Sequence, residues 1–404
     1  MRTRYGSSPW IHELPSSRVP AYPHFRGDRA ADVVIIGAGI TGCAVAYACA
    51  AAGFDTVVLE AERIGRGGTG RGAGLLAPDP GPSFRASVAA HGLRDARRVF
   101  EAWRRGAIEG AALLRRLRIN CQLSPRDSVL VARGDEERML RREFDARREA
   151  GFDLAWQTPK QLHSRMKLDA AAGIRVRDGF TLDPYRACLG LATAAVRRGA
   201  ACFEHSAVHK VRFTRRHADV LAAHGTIRAG TVVVTTGSAT AEFRPLRRHF
   251  NRRETYFAMT EPVSAGLRKQ LGDPAVVLSD SKLPPYRIGW APGNRLLVGG
   301  ADQKETTPKT RAAVLVQRTG QLMYELLTMY PVISGLRPAY GWEAAFSEAS
   351  DGLIYIGAHR NYPHHLFALG GSGGVTGAFV ASRILLRALQ GNSEVADDVF
   401  GWTR

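Results

Sequence analysis

The sequence predicts an α/β protein, and three stretches of the 404-residue chain carry that prediction. Residues 32–60, DVVIIGAGITGCAVAYACAAAGFDTVVLE, run strand, glycine turn, helix and strand, the order of a parallel β–α–β unit. Residues 366–389 give a short apolar strand, a glycine turn and a helix near the other end of the chain. Between them RETYFAMTEP, PPYRIGW and NRLLVGGAD read as adjacent antiparallel strands. The length suits two or three folding units.

Residues 1–29 hold four prolines and few apolar runs, and read as an arm lying over the surface. Val33, Val34, Ile35 and Ile36 are four consecutive β-branched residues, the mark of a buried strand, and the run stops at glycine. Gly37, Gly39 and Gly42 then fit G-x-G-x-x-G. The first permits a tight turn, the second lets backbone approach a pyrophosphate, and the third lets the helix pack on the strand. Ala44–Ala52 form a helix of small residues whose N-terminal amides face the phosphates. Asp55–Leu59 form the second strand, closed by Glu60, eighteen residues after Gly42, where a carboxylate accepts from a ribose. That acid would repel a 2′-phosphate. The glycines and β-branched start argue against reading the stretch as a membrane span.

Gly65, Gly67, Gly68, Gly70, Gly72 and Gly74 follow, suited to a loop whose amides run against a large flat ligand. Residues 93–150 read as helical, with helices around 93–117 and 134–150. In GFTLDPYRACLGLATAAVRRGA, Asp183 is the N-cap, Pro184 the first helical residue and Gly199 the stop. Short strands are expected near 201–204, 208–213 and 218–223, and helix at 310–328. Leu366–Leu369 form a strand, Gly370, Gly371, Gly373 and Gly374 a tight turn, and Ala378–Leu389 an amphipathic helix.

Together DVVIIGAGITG…VVLEAERIG, GGTGRGAGLL, AGTVVVTTGSAT and DGLIYIGAHRNYPHHLFALGGSGGVTGAFVASRILLRAL resemble the D-amino-acid oxidase / glycine oxidase / sarcosine oxidase superfamily of FAD-dependent oxidoreductases. YGWEAAFSEASDGLIYIG is similar to the subgroup near γ-glutamylputrescine oxidase. The resemblance implies a Rossmann-like FAD-binding domain interleaved with a mainly antiparallel substrate domain. The FAD part would be 30–92, 174–238 and 347–404; the substrate part 93–173 and 239–346. It also implies oxidation of a small-molecule amine or amino-acid-like substrate, with hydride transfer from a carbon beside the amine nitrogen to flavin N5 giving an imine that water hydrolyses.

By residue, the cofactor contacts implied are Gly37, Gly39, Ile40, Thr41, Gly42, Glu60, Ala61, Thr69, Gly70, Arg71, Ala73, Gly74, Val208, Thr236, Gly237, Gly371, Ser372, Gly373, Gly374, Val375 and Thr376. Val208 matches the backbone pressed on adenine, and 371–376 the helix end that stabilises charge on the reduced flavin. Substrate-contact candidates are Tyr256, Tyr286, Arg287 and Trp342, where an arginine pairs with a carboxylate and an aromatic flanks a cationic amine. No general base is named, since a neutral amine needs none.

Three positions depart from the better-known members. Phe346 stands where glycine-oxidase-like enzymes place a carboxylate-binding arginine, which favours a larger amine or an N-substituted substrate over a simple α-amino acid. Ala344 stands where sarcosine-oxidase-like enzymes attach flavin to cysteine, so non-covalent FAD is expected. Leu296 and Leu297 occupy the register of an oxygen-activating lysine, leaving oxygen or another acceptor open.

Five scattered cysteines without a C-x-x-C pair argue against a disulfide framework or zinc site, and with the lack of an N-terminal apolar run point to the cytoplasm. No metal and no membrane span are expected. The formal charge is +19, yet only seven of 56 basic residues are lysines. The arginines are mixed with acids along the chain and read as a solvated surface, which makes nucleic acid an unlikely partner. Two alternatives stay open: a flavoenzyme acting on a tRNA-linked amine, for which the charge would be the footprint, and a non-catalytic flavin-binding interaction protein.

Overall fold

Val33, Val34, Ile35 and Ile36 are all buried in the strand Arg29–Ile36 of the computed structural model, which describes residues 2–281, 284–371 and 374–404. That strand pairs in parallel with Thr56–Leu59 on one side and Gly225–Gly237 on the other. Strand Ala201–Phe203 extends the sheet beyond Thr56–Leu59, and His365–Leu369 extends it beyond Gly225–Gly237, both in parallel. Tyr355–Ala358 closes that edge antiparallel, and the hairpin Val208–Phe213 and Ala218–Ala222 folds onto Gly225–Gly237. A sheet buried on both faces needs apolar residues on both, which the unbroken β-branched run supplies.

One face carries helices Ile40–Ala51, Pro184–Arg197 and Gly374–Leu389, packed side by side. Helix Ile40–Ala51 is the middle one, and its alanines and glycine let both neighbours approach. The Phe84–Arg116 helix packs on the outside of Gly374–Leu389. Contact is made at Gly106 and Gly110, where an added Cβ would lie 2.6 Å from Val380 and 2.4 Å from the Phe379 ring. This helix begins nine residues before the expected 93, with a break at Gly92 (φ 80°). Asp183 caps Pro184–Arg197, its Oδ1 accepting from the amides of Tyr185 and Arg186 at 3.0 Å.

The second sheet is larger. Its order is Arg4–Tyr5, Pro338–Glu348, Asn251–Thr260, Arg295–Lys304, Arg287–Ala291, Val276–Asp280, Ser124–Ala132, Ala172–Thr181 and Leu75–Leu76, with Ala155–Gln157 also on Ala172–Thr181. It is mainly antiparallel: only Arg4–Tyr5 on Pro338–Glu348 and Val276–Asp280 on Ser124–Ala132 run parallel. Strand Ser124–Ala132 lies within a region expected to be helical. Its signal is the short alternation in DSVLVA, with Val129 and Val131 buried, hidden among arginines. Strand Ala172–Thr181 stays in this sheet through Thr181, seven residues past 174.

Helix Arg311–Met329 covers the back of this sheet, burying Leu315, Leu322 and Leu326 against Tyr256, Ala258 and Val298. The opposite face looks toward the glycine turns of the first sheet. Among the described residues no helix is long and apolar enough to cross a membrane, and no cluster of His, Cys, Asp or Glu is placed to hold a metal. All five cysteines are buried and free.

Candidate active site

Strand Arg29–Ile36 ends at Gly37, whose φ of +99° excludes other residues without strain. Gly39 is the N-cap of helix Ile40–Ala51, and the Ile40 amide donates to Thr69 Oγ1 at 2.9 Å. Glu60 ends the neighbouring strand. Its Oε2 accepts from the Ala38 amide at 2.7 Å and its Oε1 from the Glu62 amide at 3.0 Å. The carboxylate is thereby anchored beside the glycine turn and still lines the cavity described below.

Three successive carbonyls of the glycine-rich loop are held from outside it. The Ser8 hydroxyl donates to Gly70 O, the Trp342 indole to Arg71 O at 2.9 Å, and the Trp10 indole to Gly72 O at 2.9 Å. The Arg71 guanidinium lies 3.1 Å from Glu343. Strand Pro338–Glu348 is thus fastened to the loop at one point and, through Ser347 and Ser238 hydroxyls 2.9 Å apart, to the end of strand Gly225–Gly237 at another.

A second glycine turn faces the first. The Gly370 amide donates to Gly237 O at 3.0 Å, and Gly370 and Gly371 both have left-handed φ values. Helix Gly374–Leu389 follows, with the Thr376 hydroxyl donating to Ala77 O at 2.8 Å. Ser372 and Gly373 lie outside the described residues.

Both turns and the face of the large sheet open into one cavity of about 1290 Å³. Of the cofactor contacts expected from sequence, Gly37, Gly39, Ile40, Thr41, Glu60, Ala61, Thr69, Ala73, Gly74, Val208, Thr236, Gly237, Gly371, Gly374 and Val375 line it. Gly42, Gly70, Arg71 and Thr376 do not; they hold the walls together. A Cβ on Gly42 would lie 1.9 Å from Gly37 O, and one on Gly70 would lie 2.7 Å from Ile11.

Of the four substrate-contact candidates only Arg287 lines the cavity. Tyr256 is corrected first. It points to the back of the sheet, where its hydroxyl donates to Glu254 at 2.8 Å, because strand residues alternate between faces. Its neighbours Thr255 and Phe257 take the cavity side. Tyr286 turns toward helix Arg311–Met329 and accepts from Gln321 at 2.7 Å. Trp342 is fully buried, stacked on Phe257 with ring centroids 5.3 Å apart.

Pairing across the sheet sets Phe257 opposite Gly299, Gly299 opposite Arg287, and Arg287 opposite Ser279. Gly299 leaves room for the Phe257 ring, which an added Cβ would meet at 2.6 Å. The result is an apolar platform next to a guanidinium. Burial pulls the Arg287 pKa down, opposed by Asp302 and Asp280, which line the same cavity. Among the described residues Arg287 has no ion-pair partner within 4 Å. Ala344, Phe346 and Leu297, the positions that depart from the resembled family, also line the wall, whereas Leu296 is buried behind it. None of the five cysteines lines the cavity.

Phe257, Trp10 and Asp302 line the cavity and were not singled out by sequence. Adjacent aromatics at 256 and 257 leave the strand phase undecided, an arm without periodicity gives no signal, and Asp302 reaches the cavity through a local irregularity of its strand.

Residues 32–388 match the family model described as FAD dependent oxidoreductase (DAO). Gamma-glutamylputrescine oxidoreductase of Escherichia coli (strain K12) is 26% identical over 373 residues, covering 91% of this chain and 85% of that protein. The probable oxidoreductase OrdL of Haemophilus influenzae is 26% identical over 384 residues, covering 90% and 84%. Two solved structures share the fold: glycine oxidase from Geobacillus kaustophilus (TM-score 0.77, 19% identity, 93% of this chain and 99% of that one) and L-amino acid deaminase from Proteus myxofaciens (0.77, 16%, 96% and 96%). With that match across nearly its whole length, the chain belongs to the FAD dependent oxidoreductase family.

Proposed function

We propose that the protein oxidises a carbon–nitrogen bond of an amine that carries a carboxylate well removed from the reacting carbon. The observation that carries this reading is the position of Arg287. Its strand is the third neighbour of Pro338–Glu348 across the sheet. At about 4.8 Å per strand that is roughly 14 Å from the strand fastened to the glycine loop. A carboxylate held by Arg287 is therefore distant from chemistry performed beside Ala344 and Phe346. A simple α-amino acid, with carboxylate and amine on one carbon, does not span that distance. The name of the Escherichia coli relative, which is that of an amine oxidoreductase, points the same way.

The residues present fit FAD. Two helix N-termini, at Ile40 and Gly374, open into one continuous cavity whose near walls are glycine backbone, the arrangement that admits phosphates and a flat ring. Glu60 would hold the ribose, the amide of Thr41 in the first turn of the helix the pyrophosphate, and Val208 the adenine. Ala73, Gly74, Thr236, Gly237, Gly371 and Val375 would flank the ring system. Bound there, FAD supplies the hydride acceptor. Ala344 offers it no thiol, so the cofactor is held non-covalently.

The chain's own residues do the rest. Arg287 takes the carboxylate, and Phe257 over Gly299 gives the carbon chain an apolar floor that excludes water. A cytoplasmic setting accords with five free, buried cysteines. The reading is tested by anaerobic mixing of the FAD-loaded protein with amines of graded length, with and without a terminal carboxylate. Bleaching of the flavin band is expected for the carboxylated amines, and Arg287→Ala should raise their KM about 10- to 100-fold, the worth of a hydrogen bond to a charged group. Bleaching by none of them, or an Arg287→Ala enzyme with unchanged KM, defeats it. Reoxidation by air then separates oxygen from another acceptor.

A further inference from the structure

The strand Arg295–Lys304 breaks its pattern where it passes Arg287. Tyr256 pairs with Gly300, but Glu254 pairs with Gln303, so one residue on the first strand faces two, Ala301 and Asp302, on the second. This is a β-bulge, a device that re-aims side chains beside active sites. Ala301 has a φ of +55°, a conformation rarely adopted outside glycine and asparagine. Gly300 has a φ of +146°, and an added Cβ there would lie 2.8 Å from the Tyr286 ring. Ala301 is consequently packed into the core behind the sheet, and Asp302 is turned into the cavity. In a regular strand the two would exchange faces.

We propose that Asp302 and Arg287 together form a subsite for a zwitterionic amino-acid head of the substrate, with Asp302 taking its ammonium and Arg287 its carboxylate. The inference rests on the reading of Arg287 given above and deepens it: the substrate carries a second, unreacted amine beside its carboxylate. Among the described residues the Asp302 carboxylate makes no hydrogen bond and no ion pair. It lies near enough to Arg287 to act on its charge, yet the two are not joined within 4 Å. Opposite charges left unjoined on one wall match a ligand that presents both. Asp280 has a different task, since its Oδ1 accepts from the amide of Tyr286, the residue before Arg287, at 2.8 Å. Asp302 also repels a carboxylate that arrives without an ammonium beside it, and so discriminates against plain ω-amino acids.

The experiment compares two substrates of equal length on the FAD-loaded enzyme: an amine chain ending in an α-amino-acid head, and one ending in a carboxylate alone. In Asp302→Asn the KM of the first should rise about tenfold with kcat changed less than about twofold, while the KM of the second falls. Asp302→Glu should recover part of the loss. Equal KM changes for both substrates, or none, overturn the subsite. Binding of a non-reacting α-amino acid, read from perturbation of the flavin absorption band, keeps the two claims apart. If neither amine bleaches the flavin, the proposed reaction falls, but this titration should still weaken about tenfold in Asp302→Asn. No weakening there removes the subsite whatever the reaction. If Asp302→Asn fails to retain FAD, Asp302→Ser carries the same titration.

Discussion

The Trp10 indole donates to the carbonyl of Gly72 at 2.9 Å, and both residues line the cavity. This bond joins the N-terminal arm to the loop that would lie against FAD. The arm is fastened along its length: Gly6 N donates to Gly341 O at 2.9 Å, and Glu13 accepts from Tyr340 and pairs with Arg295. Because a peptide unit is planar, holding the Gly72 carbonyl also fixes the amide of Ala73.

Trp10→Phe keeps the ring and removes the donor. A neutral hydrogen bond is worth about 0.5–1.5 kcal/mol, so the FAD dissociation constant should rise about 2- to 12-fold, with the unfolding midpoint of the apoprotein little changed. Titration of the apoprotein with FAD, followed by flavin fluorescence, measures it. An unchanged dissociation constant would show that the arm only covers the loop.

Gly42→Ala is expected to be far more severe. The new Cβ would lie 1.9 Å from Gly37 O, backbone against backbone, with no rotamer to relieve it. The helix must move off the strand, and the purified protein should hold less than about a tenth of the parent's flavin. Full flavin content, read from the ratio of visible to ultraviolet absorbance, contradicts this reading of the third glycine.

The β–α–β unit was legible because its information is local: four β-branched residues, a glycine at each forced φ, and an acid at the strand end. Gly370, Gly371 and the helix that begins at Gly374 were legible for the same reason. The substrate wall was not. Tyr256, Tyr286 and Trp342 are large and sit in strands, but whether a strand residue faces ligand or core depends on phase, which neighbouring aromatics do not set. Asp302 faces the cavity only because a bulge reverses the alternation. The charge of +19 is also partly structural, as Arg404 shows. It bonds to Asp351 and to the carbonyls of Leu353, Ile354 and Phe400 and lies over the Tyr355 ring, binding the last residue to the first sheet.

Asp183 gives a pH dependence of defined sign. Burial pushes its carboxyl up to about 6, against the opposing pull of the Arg186 and Tyr185 amides and the Arg186 guanidinium. In the unfolded chain it ionises near about 3.9. Between roughly pH 4 and 6 the folded protein holds a proton that the unfolded chain has released, so this group's contribution to stability falls as pH rises through that window, by about 3 kcal/mol in total. Asp183→Asn keeps the capping oxygen and cannot ionise. Relative to the parent, the variant should gain stability between pH 4 and pH 7, seen in urea unfolding at both. Parallel pH profiles would be the contrary result.

Arg147 is buried between Asp79 and Glu143, 2.7 Å from each, with its guanidinium over the Phe100 ring. Glu143 in turn accepts from the amides of Phe84 and Arg85, the first turn of the long helix. Burial lowers the Arg147 pKa, but the two carboxylates more than offset it and the net shift is upward. All three side chains line the cavity, so this triad anchors residues 79–85 along its wall. Arg147→Met fills similar volume and leaves two carboxylates without their cation. Removing one partner from a buried ionic group costs about 3–5 kcal/mol, which should appear as a lower urea midpoint. Adding Glu143→Gln to Arg147→Met removes one of the stranded charges and should return part of the loss. The two changes are therefore expected to be non-additive by at least about 1 kcal/mol. Additive losses would mean that Glu143 acts only as a helix cap and that the three charges do not work together.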